Sequence, residues 1–285
     1  MANVGNFFWQ LLWIFFMASA LQPVIQQHVL EAARRRRIAR FERARNSRLI
    51  VMVHRQETMR LLGFPVLRYI DINDSEEILR AIRMTDRNVP IDIVLHTPGG
   101  LVLAALQIAR ALHEHPAKVT AYVPHYAMSG GTLICLSANE IVLSPHAVMG
   151  PIDPQIGESP AASLIKVVEQ KPIERISDQT LVLADVGRKA IEQVRMAACE
   201  LLDGRLPKEK AEELARKLST GTWTHDYPIG AREAKAMGLN VSTDMPPDIL
   251  ELLSLYPQPT RTESGGVEYL PGPRVGRQES SRKRS

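Results

Sequence analysis

The sequence predicts an α/β layered fold built on a parallel sheet, preceded by one N-terminal transmembrane helix. Three features carry this: short β-branched runs alternate with helical patterns between residues 49 and 218, a charge-free apolar stretch lies near the N-terminus, and two glycine-rich bends each follow an expected strand. Of the 285 residues, 45% are hydrophobic, enough for one globular domain with extensions at its ends.

The first element spans residues 7–25, FFWQLLWIFFMASALQPVI, which carry no charged side chain. A helix of that length, at about 1.5 Å per residue, just crosses a hydrocarbon core of about 30 Å. Trp9 and Trp13 lie near one end, where amphipathic rings favour the membrane interface. A cleaved signal peptide is the rival: Met17-Ala18-Ser19-Ala20 resembles a cleavage site, but residues 1–6 lack the positive n-region. The polar residues form no single face, which argues against an interfacial amphipathic helix.

Arg34, Arg35, Arg36 and Arg37, with Arg40, Arg43, Arg45 and Arg48, follow the span directly. Positive charge stays on the cytoplasmic side, so the main domain is expected in the cytosol. Residues 1–27 therefore read as a transmembrane anchor and residues 28–48 as a basic juxtamembrane helix whose arginines rest on anionic headgroups. The net charge of +4 comes from this cluster and from Arg282-Lys283-Arg284, while the middle of the chain is nearly balanced. Such a distribution gives no reason to expect a nucleic-acid partner.

The main domain is expected over residues 49–256. Strands are predicted at 49–53, 91–95, 118–124 and 140–143 from their β-branched and apolar runs. Asp74 reads as an N-cap with Glu77 three residues on, opening a helix from 78 to about 84. Further helices are predicted at 101–113, after Ser129, and at 161–170, 177–202 and 207–218, the last with Pro207 at its start. From residue 257 the composition turns to Pro, Gly, Ser, Arg and Glu, so 257–285 reads as a disordered tail. Cys135 and Cys199 have no CxxC or Cys/His spacing and are too few for a disulfide framework; Cys135, inside Leu133-Ile134-Cys135-Leu136, reads as a small buried hydrophobe. No metal and no cofactor are implied.

The two glycine bends carry the chemistry. One is Thr97-Pro98-Gly99-Gly100; the other is Ala127-Met128-Ser129-Gly130-Gly131-Thr132, which opens a helix. A helix N-terminus offers unpaired N–H groups and positive dipole charge, so a serine there can attack a carbonyl while amides hold the oxyanion. Taken alone, Ser129 also reads as a simple N-cap. The second glycine bend, some thirty residues upstream in a matching strand–turn–helix setting, favours the chemical reading because amides from both bends can converge on one carbonyl.

Thr97-Pro98-Gly99-Gly100 resembles the TPGG/SPGG element of the proteolytic subunit of Clp protease, and Ala127-Met128-Ser129-Gly130-Gly131 resembles the nucleophile turn of signal peptide peptidase A. The run from Ser129 to Leu143, with Met149-Gly150-Pro151-Ile152-Asp153-Pro154-Gln155, is more similar still to the serine dehydrogenase proteinase family of membrane-associated Clp-fold proteins. The resemblance covers about residues 45–245 and implies a Clp/crotonase-type layered fold, Ser129 as the acylated nucleophile, and an oxyanion hole from Gly99 or Gly100 with Gly130.

The base is less plain, because serine needs an adjacent one. The stretch in which Clp subunits carry their histidine is 148–153 here, and no histidine lies between His146 and His225. Signal peptide peptidases use a lysine 40–50 residues after the serine, and Lys171 matches that position; desolvation by Val167, Val168 and Ile173 would have to lower its pKa. Lys189, on the following helix, is a weaker candidate. Alternatively, Ala231-Arg232-Glu233-Ala234-Lys235-Ala236-Met237-Gly238-Leu239 resembles the A-x-E-A-x-x-x-G-L turn of both groups, and counting back puts Asp226 at the Clp aspartate, with His225 beside it as a base. Lys171 ranks first, His225 with Asp226 second; both also read as ordinary surface or loop-bracing residues. His96 and His125 read as polar lining near the bends.

The expected activity is ATP-independent peptide-bond hydrolysis on membrane-derived peptides or membrane proteins, by a homo-oligomer tethered to the bilayer, since the chain holds no G-x-x-x-x-G-K-[ST] motif. Two other classes stay open: a crotonase-like acyl-CoA enzyme, in which the same amides polarise a thioester, and a catalytically silent membrane scaffold.

Overall fold

A computed structural model describes residues 2–54, 60–61, 64–65 and 68–256; many side chains among residues 2–26, and those of residues 60, 61, 64 and 65, lie outside the described part. The expected disordered tail also falls outside it.

The chain opens with one long helix, α1 (Ala2–Arg45). It runs on through residue 27, so the expected boundary between anchor and juxtamembrane helix is no break in the backbone. Among the described residues no helix is long and apolar enough to cross a membrane. After α1 come β1 (Arg48–Val53), the short antiparallel pair β2 (Arg60–Leu61) and β3 (Phe64–Pro65), and α2 (Ile72–Arg83). Next are β4 (Ile91–His96), α3 (Val102–His113), β5 (Val119–Val123), β6 (Tyr126–Ala127) and α4 (Gly130–Ser137). Then follow β7 (Glu140–Leu143), β8 (Val148–Met149), β9 (Gln155–Ile156), β10 (Ser159–Pro160), α5 (Ala161–Gln170) and α6 (Asp178–Leu202). The domain closes with α7 (Lys208–Ser219), β11 (Ile229–Gly230), α8 (Ala231–Ala236), β12 (Val241–Ser242) and α9 (Pro247–Ser254).

The main sheet has the order β1-β4-β5-β7-β12, with every pairing parallel. Its central strands β4 and β5 are buried throughout, as a parallel sheet covered on both faces requires. Alternation along the strands assigns the faces. Ile93, Leu95, Ala121, Val123, Ile141 and Leu143 join the larger core with α3, α4, α6 and α7. Val94, Tyr122 and Val142 point the other way and meet Phe41 of α1 and Ile249 and Leu252 of α9. Fully burying one such aliphatic side chain contributes about 1.5–3 kcal/mol.

The second face uses part of the arginine cluster. Arg34 lies over the Tyr256 ring at 4.2 Å, Arg37 pairs with Glu251, and Arg45 donates to the buried Asp92 carboxylate at 2.9 Å. Several of the arginines expected on lipid headgroups thus also dock α1 onto the domain.

The structure corrects one boundary. The helix expected at 78–84 begins at Ile72, and its N-cap is Asp71 rather than Asp74. Asp71 Oδ1 accepts from the Asp74 N–H at 3.0 Å and Asp74 Oδ2 accepts from the Asp71 N–H at 2.9 Å, so two aspartates form the reciprocal box.

A smaller sheet, β11-β8-β6, sits beside the first: β6 pairs in parallel with β8, and β8 antiparallel with β11. The first glycine bend emerges from the carboxyl end of β4 in the main sheet, the edge where open α/β sheets place their sites, and the second follows β6 of the smaller sheet, two residues past the carboxyl end of β5.

Candidate active site

The bend after β4 and the bend after β6 are pressed together. Thr97 and Ala127 form an isolated parallel bridge, in which Thr97 N donates to Tyr126 O at 3.1 Å and Met128 N to Thr97 O at 3.0 Å. Gly99 has φ +106, and a Cβ added there would lie 2.7 Å from Ser129 Cβ, 2.9 Å from Met128 O and 3.1 Å from Gly130 N. At Gly100 a Cβ would meet Ile70 N and O at 2.3 Å, because Ile70 N donates to Gly99 O and Leu101 N to Ile70 O, both at 2.8 Å. Glycine at 99 and 100 is therefore a packing requirement as well as a conformational one.

Ser129 occupies the N-cap position of α4 with φ 50 and ψ −113, a strained backbone for a residue with a side chain. Such outliers cost about 1–3 kcal/mol and cluster at functional turns. Its hydroxyl makes no cap hydrogen bond, so the simple N-cap reading fails. Ser129 is half-buried, whereas every residue of α4 behind it is buried.

Of the three expected oxyanion donors, one N–H is already used. Gly99 N donates to Thr97 Oγ1 at 3.2 Å. The Ile70–Gly100 bridge leaves the Gly100 N–H out of its two bonds, and Gly130 is the first residue of α4, where helical amides lack partners. These two amides are close: a Cβ on Gly130 would lie 3.6 Å from Gly100 N.

The strand β8 brings the 148–153 segment to the Ser129 turn. A Cβ on Gly150 would lie 3.6 Å from Met128 Cα, and the buried Thr132 Oγ1 lies 2.9 Å from both Ala127 O and Gly150 O while accepting from Gly150 N at 3.1 Å. Three residues further on is Asp153, at most about 10 Å along extended chain. Asp153 is buried and its carboxylate meets His225 Nδ1 at 2.8 Å and Gln155 Nε2 at 2.7 Å. The Asp153 hydrogen bond holds the His225 imidazole above its ordinary pKa of 6.5, against an opposing effect of burial. His225 thus pairs with Asp153 and not with the neighbouring Asp226, which is exposed.

Lys171 is exposed at the C-cap of α5. The N-terminus of that helix is tied to the Asp153 region by Ala161 N donating to Pro154 O at 3.0 Å. The ten residues of α5 then carry Lys171 about 15 Å from that end. The apolar cover expected around it is thin, with Val167 and Ile173 themselves exposed. Lys189 is exposed and pairs with Asp185 at 2.6 Å. His96 is buried, with its ring 4.6 Å from Tyr126 and 5.6 Å from His125. Cys135 is fully buried, which pushes its thiol up to about 12. Among the described residues no group of three or more His, Cys, Asp or Glu could hold a metal ion.

A parallel α/β sheet with an uncapped serine in one glycine bend pressed against a second glycine bend is an arrangement that α/β serine hydrolases use. The chain belongs to the ClpP-like SDH-type serine proteinases: that family's sequence model matches residues 1–284. It is therefore a serine peptidase by family. The chain is 51% identical over 261 residues to the uncharacterized protein MJ0137 of Methanocaldococcus jannaschii, covering 92% of this chain and 91% of that one. It is 48% identical over 273 residues to MJ1495 of the same organism, covering 96% and 91%. Membrane protein NfeD1b of Bacillus subtilis is 40% identical over 101 residues, or 35% of this chain and 20% of the relative. The solved structure of the 1510-N membrane-bound stomatin-specific protease aligns with a TM-score of 0.45 at 20% identity, covering 65% of this chain and 79% of that one.

Proposed function

We propose that the chain is an ATP-independent endopeptidase that hydrolyses peptide bonds through an acyl-enzyme on Ser129, with the Gly100 and Gly130 amides as the oxyanion donors. The observation that carries this is a strained serine whose hydroxyl makes no cap hydrogen bond, held 2.7 Å, Cβ to virtual Cβ, from Gly99 of the upstream glycine bend. His225 serves as the base: Asp153 engages its Nδ1, which leaves Nε2 to take the serine proton, the division of labour of a Ser-His-Asp triad. Asp153 is not the base itself, since both its oxygens are occupied inside the fold. The chain order serine, aspartate, histidine is one of several that realise this geometry. The exposure of Lys171 weighs against the Ser-Lys alternative.

The substrates are peptides or membrane-protein segments near a bilayer, and the chain works as a homo-oligomer anchored through residues 7–25 with its peptidase domain in the cytoplasm. The apolar, charge-free run followed by arginines supports the anchor, as does the matched relative's description as a membrane protein. The test is hydrolysis of a fluorogenic apolar peptide by the full chain. Ser129→Ala is expected to lower kcat by about 10³-fold or more and His225→Ala by about 10²-fold or more, with Lys171→Ala within about twofold of wild type. A dead Lys171→Ala beside an active His225→Ala overturns the choice of base, and an active Ser129→Ala overturns the peptidase.

A further inference from the structure

Behind the Gly99–Gly100 bend lies a polar chain, buried at His54 and Thr97 and partly exposed at Asp74, that ends on no reacting atom. His54, just past β1, is 3% exposed, and Thr97 is fully buried. His54 Nε2 lies 3.2 Å from Asp74 Oδ2, and its Nδ1 lies 3.0 Å from Thr97 Oγ1. Thr97 Oγ1 in turn accepts from the Gly99 N–H at 3.2 Å.

The directions follow from chemistry. A carboxylate has no hydrogen to give, so Nε2–H donates to Asp74, and in the neutral ring Nδ1 is left as an acceptor. It takes the Thr97 hydroxyl hydrogen, which turns a lone pair of Oγ1 toward Gly99 N–H. The Gly99 carbonyl, 3.5 Å from Oγ1, is a much poorer acceptor for that hydrogen. With the ring neutral, every group in the chain is satisfied in one sense only, and such networks fix geometry.

The chain also closes on itself. Asp74 Oδ2 accepts from the Asp71 N–H at 2.9 Å, and the next residue back, Ile70, holds the other side of the bend through Gly99 O and Leu101 N, both at 2.8 Å. The bend is thus gripped from two sides by arms that share Asp74. Thr97 further clamps the nucleophile turn: its carbonyl accepts from Met128 N at 3.0 Å, and its Cγ2 would lie 2.7 Å from a Cβ on Gly131.

The geometry points to His54, acting with Asp74 through Thr97, as a positioning residue that sets the Gly100 amide over Ser129. This rests on the peptidase reading of Ser129, Gly100 and Gly130. It assigns the upstream bend a hydrogen-bonded support of its own, analogous to the orienting partners that fix metal ligands and catalytic bases.

The test compares full-length wild type with Thr97→Val, His54→Leu, His54→Asn and His54→Gln on a fluorogenic peptide. Thr97→Val keeps the side-chain shape while removing the acceptor, so it stands in where His54→Leu fails to fold. Thr97→Val and His54→Leu are expected to lower kcat by about 10- to 100-fold with KM held within about twofold. In His54→Asn the side-chain oxygen takes the place of Nδ1 and recovers most of kcat; in His54→Gln the amide reaches the place of Nε2 and does not. Unchanged kcat in Thr97→Val, or equal losses in the Leu, Asn and Gln variants, overturns the proposal. Amide hydrogen exchange over residues 97–101, measured in a Ser129→Ala background, separates the two layers. Thr97→Val is expected to speed exchange there by about 10-fold. Unchanged exchange sinks the support role alone, whereas full activity in Ser129→Ala sinks the peptidase reading alone.

Discussion

Contact between the two bends has an energetic consequence that needs no substrate. Gly99→Ala places a methyl group 2.7 Å from Ser129 Cβ and 2.9 Å from Met128 O, on a backbone with φ +106. The conformational strain costs about 1–3 kcal/mol, and overpacking about 1–3 kcal/mol more, for a total of about 2–6 kcal/mol. Ser129→Gly removes one of the two clashing atoms and relaxes the φ 50, ψ −113 strain, less about 0.5–1 kcal/mol for glycine's extra chain entropy. In the double variant the methyl at 99 no longer meets a Cβ at 129 but still faces Met128 O. The two substitutions should therefore couple by about 1 kcal/mol or more, in the direction of rescue. Chemical denaturation of wild type, both single variants and the double variant, at constant m, reads the coupling directly. Additivity within about 0.3–0.5 kcal/mol means the bends do not touch, and the shared-amide argument falls with them.

The pairing of His225 with Asp153 sets a pH dependence. Because the carboxylate raises the imidazole's pKa above 6.5, the neutral base forms only as pH climbs through that raised value, and kcat/KM should rise there. Asp153→Asn removes the cause, so the acidic limb should move to lower pH while the plateau drops; an unmoved limb refutes the pairing. The same shift makes the pair's contribution to stability full below pH 6.5 and lost as pH rises through the folded value, so Asp153→Asn should cost more stability at pH 6 than at pH 9. Asp92, 1% exposed, accepts from Ser47 Oγ at 2.6 Å and Arg45 Nε at 2.9 Å. Asp92→Ala should cost about 1–3 kcal/mol, mostly through the buried Ser47 hydroxyl, since the half-exposed Arg45 can rehydrate; a loss below about 0.5 kcal/mol in denaturation counts against that pairing.

Four strands of the main sheet (β1, β4, β5 and β7) and both bends were legible because their signals are local, whereas β12 and the strands of the smaller sheet are two residues long and offer no run to read. The β-branched runs gave the strands, and the paired glycines gave the bends that a side chain cannot occupy. The start of α2 was misread for an equally local reason: Asp71/Asp74 and Asp74/Glu77 offer the same three-residue spacing, and only the backbone shows which pair closes. The site's support was illegible because it is non-local. His54 and Thr97 are 43 residues apart, and His225 and Asp153 are 72 apart. No spacing rule joins such residues. A histidine after a strand and an aspartate between prolines carry no mark of their partners. Asp226 stands out by its count back from the 231–239 turn, and His225 by adjacency to it, yet neighbouring residues on a loop point apart as readily as together.

Reaction of the full chain with a fluorophosphonate, followed by peptide mapping by mass spectrometry, tests the central claim most directly. One phosphonyl group on Ser129, absent after Ser129→Ala and slowed in His225→Ala, is the expected result. No adduct at Ser129, or equal labelling of Ser129→Ala, contradicts it.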